Sequence, residues 1–130
     1  MNVYDAAWYS WRQSSTYCQV GSNFQHPDVS KDSAREFICP RAGNITITSN
    51  GNISVRDQLA GQDGVLVKVM QNGTQIWPTN GWQGVSYGTP VAFPSTNVYV
   101  NANDSIYFIV NPNGNISADT TLWDPILTYN

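Results

Sequence analysis

One hairpin signal near the middle of the chain constrains the fold more than any other feature. Valine occupies every second position from Val65 to Val69, and the dipeptide Asn72-Gly73 follows shortly after. Such alternation predicts a half-buried strand. Asn-Gly is a preferred pair for a two-residue hairpin turn, in which Gly73 is expected at positive φ. We therefore predict two antiparallel strands joined at Asn72-Gly73.

The hairpin also predicts which side chains share a face of the sheet. Regular pairing across the turn sets Val69 opposite Ile76 and Lys68 opposite Trp77. Because the valines and Ile76 then form the core face, Trp77 is expected on the solvent side, beside Lys68. A turn that carries a second indole, Trp82, follows. The sequence thus predicts aromatic rings displayed away from the core.

Short strand signals separated by turn residues occupy the rest of the chain. Alternating apolar residues occur at 35–39, 45–47, 53–55, 98–100, 106–110 and 126–129, with Gly, Pro and Asn between the runs. No segment has the 3.6-residue apolar period of a helix. This pattern predicts an all-β fold, an antiparallel β-sandwich of jelly-roll type with eight or nine short strands and no significant helix. At 130 residues, the whole chain (1–130) is expected to form a single domain.

The composition limits the class of ligand. Charged residues are 12% of the chain, six basic against nine acidic, which gives a net charge of −3. A chain of this kind lacks the basic surface that nucleic-acid binding requires, so no nucleic-acid partner is expected. Abundant Asn, Ser, Thr and Gly with 12% aromatic residues favour a neutral, hydroxyl-rich ligand. Many extracellular β-sandwiches without a ligand share this composition.

The termini and the apolar runs bear on localisation. No stretch approaches the roughly 20 apolar residues of a membrane span, so none is expected. Met1 is followed by polar residues rather than by a basic and then apolar signal segment. A cytosolic protein, a virion component and one domain of a larger secreted chain all fit these observations. We expect the third, a domain that is extracellular or at the cell surface and monomeric when isolated.

Two cysteines, Cys18 and Cys39, leave two alternatives open. The chain has no CxxC motif and a single histidine, which argues against a zinc site. The pair can form one disulfide, or the residues can stay two separate buried thiols. Sequence does not measure the distance between them.

Several segments together resemble a known class of domain. In order they are HP (26–27), REFICPRAG (35–43), DGVLVKVMQNGTQIWP (63–78), NANDSIYFIVNPNGN (101–115) and DTTLWDP (119–125). This order resembles the β-sandwich carbohydrate-binding modules attached to secreted bacterial glycoside hydrolases and polysaccharide lyases. The resemblance implies a non-catalytic domain that keeps an appended enzyme near its polysaccharide, often with one structural calcium ion. The two cysteines lie outside the pattern.

Aromatic and amide side chains supply the chemistry that sugars need. A pyranose ring presents an apolar C–H face that stacks on an aromatic ring, and its hydroxyls pair with polar side chains. The alternative is that aromatic rings near turns close the open end of the sandwich. The candidate residues for binding a polysaccharide or oligosaccharide are Trp8, Trp11, Trp77, Asn80, Trp82 and Tyr87.

Two aspartates are candidates for a metal site. Asp63 precedes a glycine and Asp119 precedes two threonines. Aspartates in such positions often cap turns through nearby backbone N–H groups. They can equally supply oxygen to a calcium ion, which takes six to eight such ligands. No cofactor is required by the predicted function, and Asp63 and Asp119 are the candidate Ca²⁺ ligands.

Two other functional classes stay open beside sugar binding. A receptor-binding or structural adhesion domain of a virion or cell surface would use the same fold. A small glycoside hydrolase or polysaccharide lyase is less expected, because glycoside hydrolysis usually needs two placed carboxylates. Glu36 is the only glutamate and lies in a predicted strand. The function predicted from sequence is a carbohydrate-binding module that performs no chemistry and holds a partner enzyme on its polysaccharide.

Overall fold

The protein is built of antiparallel β-strands. The computed structural model describes residues 2–5, 10–13 and 18–130, with side chains from Cys18 onward. No helix occurs in these residues, which confirms the all-β prediction. The strands are β1 (Asn2–Asp5), β2 (Ser10–Gln13), β3 (Gln19–Gly21), β4 (Phe24–His26), β5 (Ser33–Ile38), β6 (Gly43–Ser49), β7 (Ser54–Val55), β8 (Val65–Gln71), β9 (Thr74–Trp77), β10 (Gln83–Val85), β11 (Thr96–Val100), β12 (Ser105–Asn111), β13 (Thr121–Leu122) and β14 (Pro125–Tyr129).

The strands form three sheets. The first has the order β1-β2-β3-β4-β13-β7, the second β10-β8-β12-β5 with β9 also on β8, and the third β11-β6-β14. Every strand pair is antiparallel. The described residues form fourteen strands, more than the predicted eight or nine, and two of the fourteen, β7 and β13, have only two residues each. Across residues 2–5, 10–13 and 18–130, no helix is long and apolar enough to cross a membrane.

β8 lies at the centre of the second sheet. Val65, Val67 and Val69 are buried at every second position, as their alternation predicts. On the neighbouring β12, Phe108 pairs with Val69 and Val110 with Val67, so the buried side chains of both strands share one face. Each fully buried valine contributes about 1.5 to 3 kcal/mol of apolar transfer free energy. This face forms one side of the core.

The third sheet contributes to the same core. Ile45 and Ile47 of β6 and Val100 of β11 are buried in the cluster that contains the valines of β8. Trp123, only 1% exposed, meets Phe108 edge-on at a centroid distance of 5.4 Å. One hydrophobic core is therefore formed by the inward faces of the second and third sheets together with Trp123, which follows β13.

The central hairpin forms, but its register differs from the regular one. The turn lies at Asn72-Gly73 as predicted, yet the residue at positive φ is Asn72 (φ 49°) and Gly73 is not at positive φ. An irregularity next to Val69 sets that residue opposite Trp77, so the predicted pairing with Ile76 is wrong. A β-bulge adds one residue to a strand and reverses the faces that follow it.

Trp77 therefore lies on the core side of the sheet, and its predicted solvent-side position is wrong. Its half-buried ring packs against the core and meets Phe93 at 5.0 Å between centroids, with an interplanar angle of 74°. This edge-to-face geometry is favourable for aromatic pairs. The indole that the sequence nominated first for ligand binding is a packing residue.

The cysteine alternatives are resolved in favour of two thiols. No disulfide joins Cys18 to Cys39. Cys39 is fully buried in the core, and the Cys18 thiol donates to the Asp32 carbonyl at 3.4 Å. Burial, the largest cause in each case, raises the pKa of both thiols. The possible disulfide is therefore excluded in this structure.

Two glycines near β8 are expected to respond differently to substitution. Gly64 has φ 74°, and a Cβ added to it would lie 2.6 Å from the Val85 carbonyl oxygen. We expect Gly64→Ala to lower the free energy of unfolding by about 1 to 2 kcal/mol through strain and steric overlap. Gly73→Ala is the matched control, because an added Cβ there meets nothing within 4 Å. Urea denaturation of both variants tests this, and equal losses would contradict it.

Candidate functional site

An open hollow of about 700 Å³ lies where the loop before β8 meets the turn after β10. Its volume is within the usual range of small-molecule sites. Tyr87 and Leu59 are 45% and 55% exposed and supply apolar surface. Two amides, two hydroxyls and one carboxylate are the polar side-chain groups of the lining. The lining residues are Gln58, Leu59, Ala60, Gln62, Asp63, Gly64, Ser86 and Tyr87.

The loop that forms one wall is held by its own hydrogen bonds. The Leu59 N–H donates to the side-chain oxygen of Gln62 at 2.7 Å, and the Gln62 amide nitrogen donates to the Asp57 carbonyl at 3.0 Å. Gly61 adopts φ 80°, a conformation that side chains disfavour. One glutamine thus closes the loop on itself, and the wall is shaped before any ligand binds.

A second loop, between β12 and β13, holds the end of the first. Asn113 donates its side-chain N–H to the Asp63 carbonyl at 2.9 Å. The Asn115 backbone N–H donates to Asp63 Oδ2 at 3.0 Å, and its side chain donates to the Gly61 carbonyl at 3.1 Å. Asn113 accepts the left-handed conformation (φ 57°) that asparagine tolerates. Asp63 is therefore fixed by both its backbone and its carboxylate.

Asp119 lies deeper, on the same second loop. Its side chain is 0% exposed, and neither carboxylate oxygen has a hydrogen-bond partner among the described residues. Burial, reinforced by the charge of Asp63, raises the pKa of Asp119 to about 8. The preceding Ala118 has φ 56°, a conformation that non-glycine residues rarely adopt. Strained backbone of this kind often occurs at ligand clamps.

Asp63 and Asp119, the two predicted metal ligands, thus interact electrostatically. Their oxygen atoms can be compared with the ligands that a metal ion requires. Both supply hard carboxylate oxygens, which suit Ca²⁺ better than zinc. Within the described ranges, no group of three or more His, Cys, Asp or Glu side chains could hold a metal. Ca²⁺ also accepts backbone carbonyls and water. Among the described residues the two carboxylates alone do not make a metal site, and a calcium ion would need its other ligands from backbone carbonyls and water.

The other predicted ligand residues lie elsewhere. Trp82 is half-buried next to β10, where the Lys68 Nζ covers its ring at 4.0 Å from the centroid. Asn80 is exposed in the turn between β9 and β10. Trp8 is outside the described residues, and of Trp11 the structure gives only its place in β2, opposite Val20. Of the predicted ligand residues with described side chains, Tyr87 lines the hollow and Trp77, Asn80 and Trp82 do not.

Six of the eight lining residues were not predicted from the sequence, and three of the six have long side chains. Gln58, Leu59 and Gln62 precede β8 in a segment that shows no strand or helix period. A lone leucine within a polar loop that also contains Gly61 and Gly64 was the available signal. That this loop and Tyr87, which follows β10, line the same hollow could not be predicted from the sequence.

A second hollow, of about 210 Å³, is polar throughout most of its lining. Asn50 donates its side-chain N–H to Asp124 Oδ2 at 3.1 Å, so two polar side chains of this hollow already bond each other. Its aromatic residue, Trp123, is 1% exposed and belongs to the core. Without an exposed ring to stack on a sugar, this hollow is the weaker candidate.

The comparisons with known proteins add no functional assignment. No protein-family model matches the chain, and no curated protein matches it significantly. The function is therefore inferred from the geometry of the hollow and of the two aspartates.

Proposed function

We propose that this protein is a non-catalytic carbohydrate-binding domain, a β-sandwich of jelly-roll type, whose saccharide ligand stacks on Tyr87 in the 700 Å³ hollow. The observation that carries the proposal is an exposed phenol ring on a hollow that is also lined by two side-chain amides, a hydroxyl and a carboxylate. Of the two hollows described, this one combines an exposed ring with polar groups.

The lining residues match the chemistry of a sugar. The ring of Tyr87 and the side chain of Leu59 offer apolar surface to the C–H face of a pyranose. Gln58 and Gln62 each carry both donors and an acceptor, so they can pair with hydroxyls in either direction. Asp63 adds one acceptor group. With a net charge of −3, the protein as a whole favours a neutral saccharide over a polyanion.

The biological setting follows from the resemblance described above. We propose that the domain works outside the cell or at its surface, within a larger chain. There it would hold a partner enzyme on a polysaccharide. A domain of this kind acts by raising the effective concentration of the enzyme at its substrate.

Binding without chemistry is favoured by the placement of the carboxylates. Asp119 has the raised pKa of a general acid, but at 0% exposure it lies out of reach of a bound sugar. Glu36 is on the exposed face of β5 and accepts from the Ser105 hydroxyl at 2.6 Å. It does not line the hollow. Prolonged incubation with the best-binding glycan is therefore expected to release no reducing or unsaturated ends.

A glycan array on the isolated domain, followed by calorimetry on the best ligand, tests the proposal. We expect Tyr87→Ala to weaken binding by about tenfold or more, the scale of losing one aromatic anchor. Tyr99→Ala is the matched control, because Tyr99 is 57% exposed on β11 and does not line the hollow. Equal affinity for wild type and Tyr87→Ala would contradict the assignment. Binding to cell-surface proteins and to no glycan would favour an adhesion domain.

A further inference from the structure

Four Asn-Gly pairs occur in the chain, and each lies in a turn or bend between strands. They are Asn50-Gly51, Asn72-Gly73, Asn80-Gly81 and Asn113-Gly114. An asparagine followed by glycine loses its side-chain amide in water more readily than other asparagines, because glycine has no side chain to hinder its backbone nitrogen. The residue that follows is the same in all four pairs, so differences between them must come from the structure.

Asn72, in the central hairpin turn, is held at both ends of its side-chain amide. Its Nδ2 donates to Asp104 Oδ1 at 3.0 Å, and its Oδ1 accepts from the Ser105 backbone N–H at 2.9 Å. To lose the amide, the side-chain carbonyl carbon must rotate onto the backbone nitrogen of the next residue. Both hydrogen bonds would have to break first, so the folded protein protects Asn72.

Two other pairs are protected in the same way. Asn50 donates its side-chain N–H to Asp124 Oδ2 at 3.1 Å. Asn113 donates its side-chain N–H to the Asp63 carbonyl at 2.9 Å, a bond that joins two loops. Each side chain must leave its acceptor before it can reach the nitrogen of the following glycine. Both are therefore expected to react more slowly in the folded protein than in the unfolded chain.

Asn80 differs from these three asparagines. It is exposed, and no described residue forms a hydrogen bond with its side chain. Gly81 is also exposed and adopts φ 65°, and an added Cβ there would meet nothing within 4 Å. The side chain of Asn80 can therefore rotate onto the Gly81 nitrogen without breaking a bond to another described residue.

We propose that Asn80 is a site of non-enzymatic modification, at which the folded protein selectively loses ammonia. The Gly81 backbone nitrogen attacks Asn80 Cγ and forms a new C–N bond, while the bond from Cγ to Nδ2 breaks. The proton of the Gly81 N–H leaves with the amide group as ammonia. Water then opens the succinimide ring, giving aspartate by attack at Cγ and isoaspartate by attack at the backbone carbonyl. Water is the only co-reactant, and the reaction does not depend on the saccharide site.

Gln75 bonds the chain on both sides of the reacting pair. Its side-chain N–H groups donate to the Pro78 carbonyl at 2.9 Å and to the Gly81 carbonyl at 2.8 Å. Isoaspartate directs the backbone through Cγ and so adds a carbon atom to the chain between these two acceptors. We therefore expect the isoaspartyl form to lose one of the Gln75 bonds, whereas the aspartyl form keeps the ordinary backbone and both bonds.

Peptide mapping by mass spectrometry tests the site. Protein is held for several days in mildly alkaline buffer, both folded and in guanidinium chloride, and the replacement of NH₂ by OH is measured at each Asn-Gly pair. In the folded protein, we expect Asn80 to react at least about fivefold faster than each of the other three, the factor that corresponds to one net hydrogen bond. In guanidinium chloride the four rates should be similar. A folded protein in which Asn80 reacts no faster than the other three would overturn the site.

The effect on the turn is tested on the modified protein. Deamidation adds one negative charge to the net charge of −3, so anion exchange separates the product. The isoaspartyl form is expected to melt at least about 3 °C below Asn80→Asp, the matched control with the same charge and an ordinary backbone. Equal melting temperatures would overturn the role of Gln75 and leave the site standing. Asn80→Gln should form no such fraction at the wild-type rate, and an undiminished fraction in that variant would overturn the site.

Discussion

Trp77→Ala is expected to lower the free energy of unfolding by about 2 to 3 kcal/mol, somewhat less than for a fully buried tryptophan. The ring packs against the core and meets Phe93 at 5.0 Å between centroids. Its loss would leave a cavity at the edge of the core. Chemical denaturation measures the change. The folded fraction of the variant should bind saccharide with the affinity of the wild type, because Trp77 does not line the hollow.

Trp82→Ala is the control for this prediction. Trp82 is half-buried beside Lys68, whose Nζ lies 4.0 Å from the ring centroid. Trp82 is not among the residues packed against the core, and a cation–π contact contributes about 0.5 to 2 kcal/mol, so a smaller loss of stability is expected. If Trp77→Ala kept its stability and lost saccharide affinity, the bulged register and the core position of Trp77 would both be wrong.

The second large effect is a pH dependence that comes from Asp119. In EDTA, the free energy of unfolding is expected to fall by about 1.5 kcal/mol between about pH 6.5 and about pH 8. Burial raises the folded-state pKa of Asp119 to about 8, far above its unfolded value. The folded state therefore binds the extra proton, and the stability that it confers is lost as pH rises through the folded pKa.

This pH window separates Asp119 from the other shifted groups. Burial lowers the pKa of His26 below its ordinary value of 6.5. Its protonation therefore changes the stability mainly below about pH 6.5. The pKa of each thiol, Cys18 and Cys39, is raised above an ordinary value of 9.0, so both act at higher pH. Asp119→Asn should remove the dependence of the free energy of unfolding on pH between about pH 6.5 and about pH 8. An unchanged slope in that variant would mean that another group titrates there.

The part of the fold that could be predicted from the sequence is the part set by local pattern. Alternating valines gave β8 and its buried face, and the Asn72-Gly73 dipeptide gave the turn. The bulge beside Val69 could not be predicted, because no dipeptide marks it and the contact of Trp77 with Phe93 joins residues that are distant in sequence. One extra residue reversed the face of Trp77 and removed it from the candidate site.

The candidate site shows the same limit. Tyr87, Asp63 and Asp119 could each be nominated from the sequence by residue type and turn position. Their arrangement could not, because it depends on contacts between distant loops. Asn115 bonds Asp63 across 52 positions of sequence, and Tyr87 faces a loop more than twenty residues before it. Gln58 and Gln62 were missed for that reason, because the loop that carries them forms a hollow only together with the turn that carries Tyr87.

The central claim, a saccharide held in the hollow beside Tyr87, is tested most directly by amide proton–nitrogen correlation spectra recorded while the best-binding oligosaccharide is added. The largest shifts are predicted for residues 58–60, 62–64 and 86–87, which line the hollow. Residues near Trp82 and Lys68, on the other side of β10 from Tyr87 in sequence, should change little. Shifts centred on Trp82 with none at Tyr87 would contradict the account and place the ligand on the surface of the second sheet.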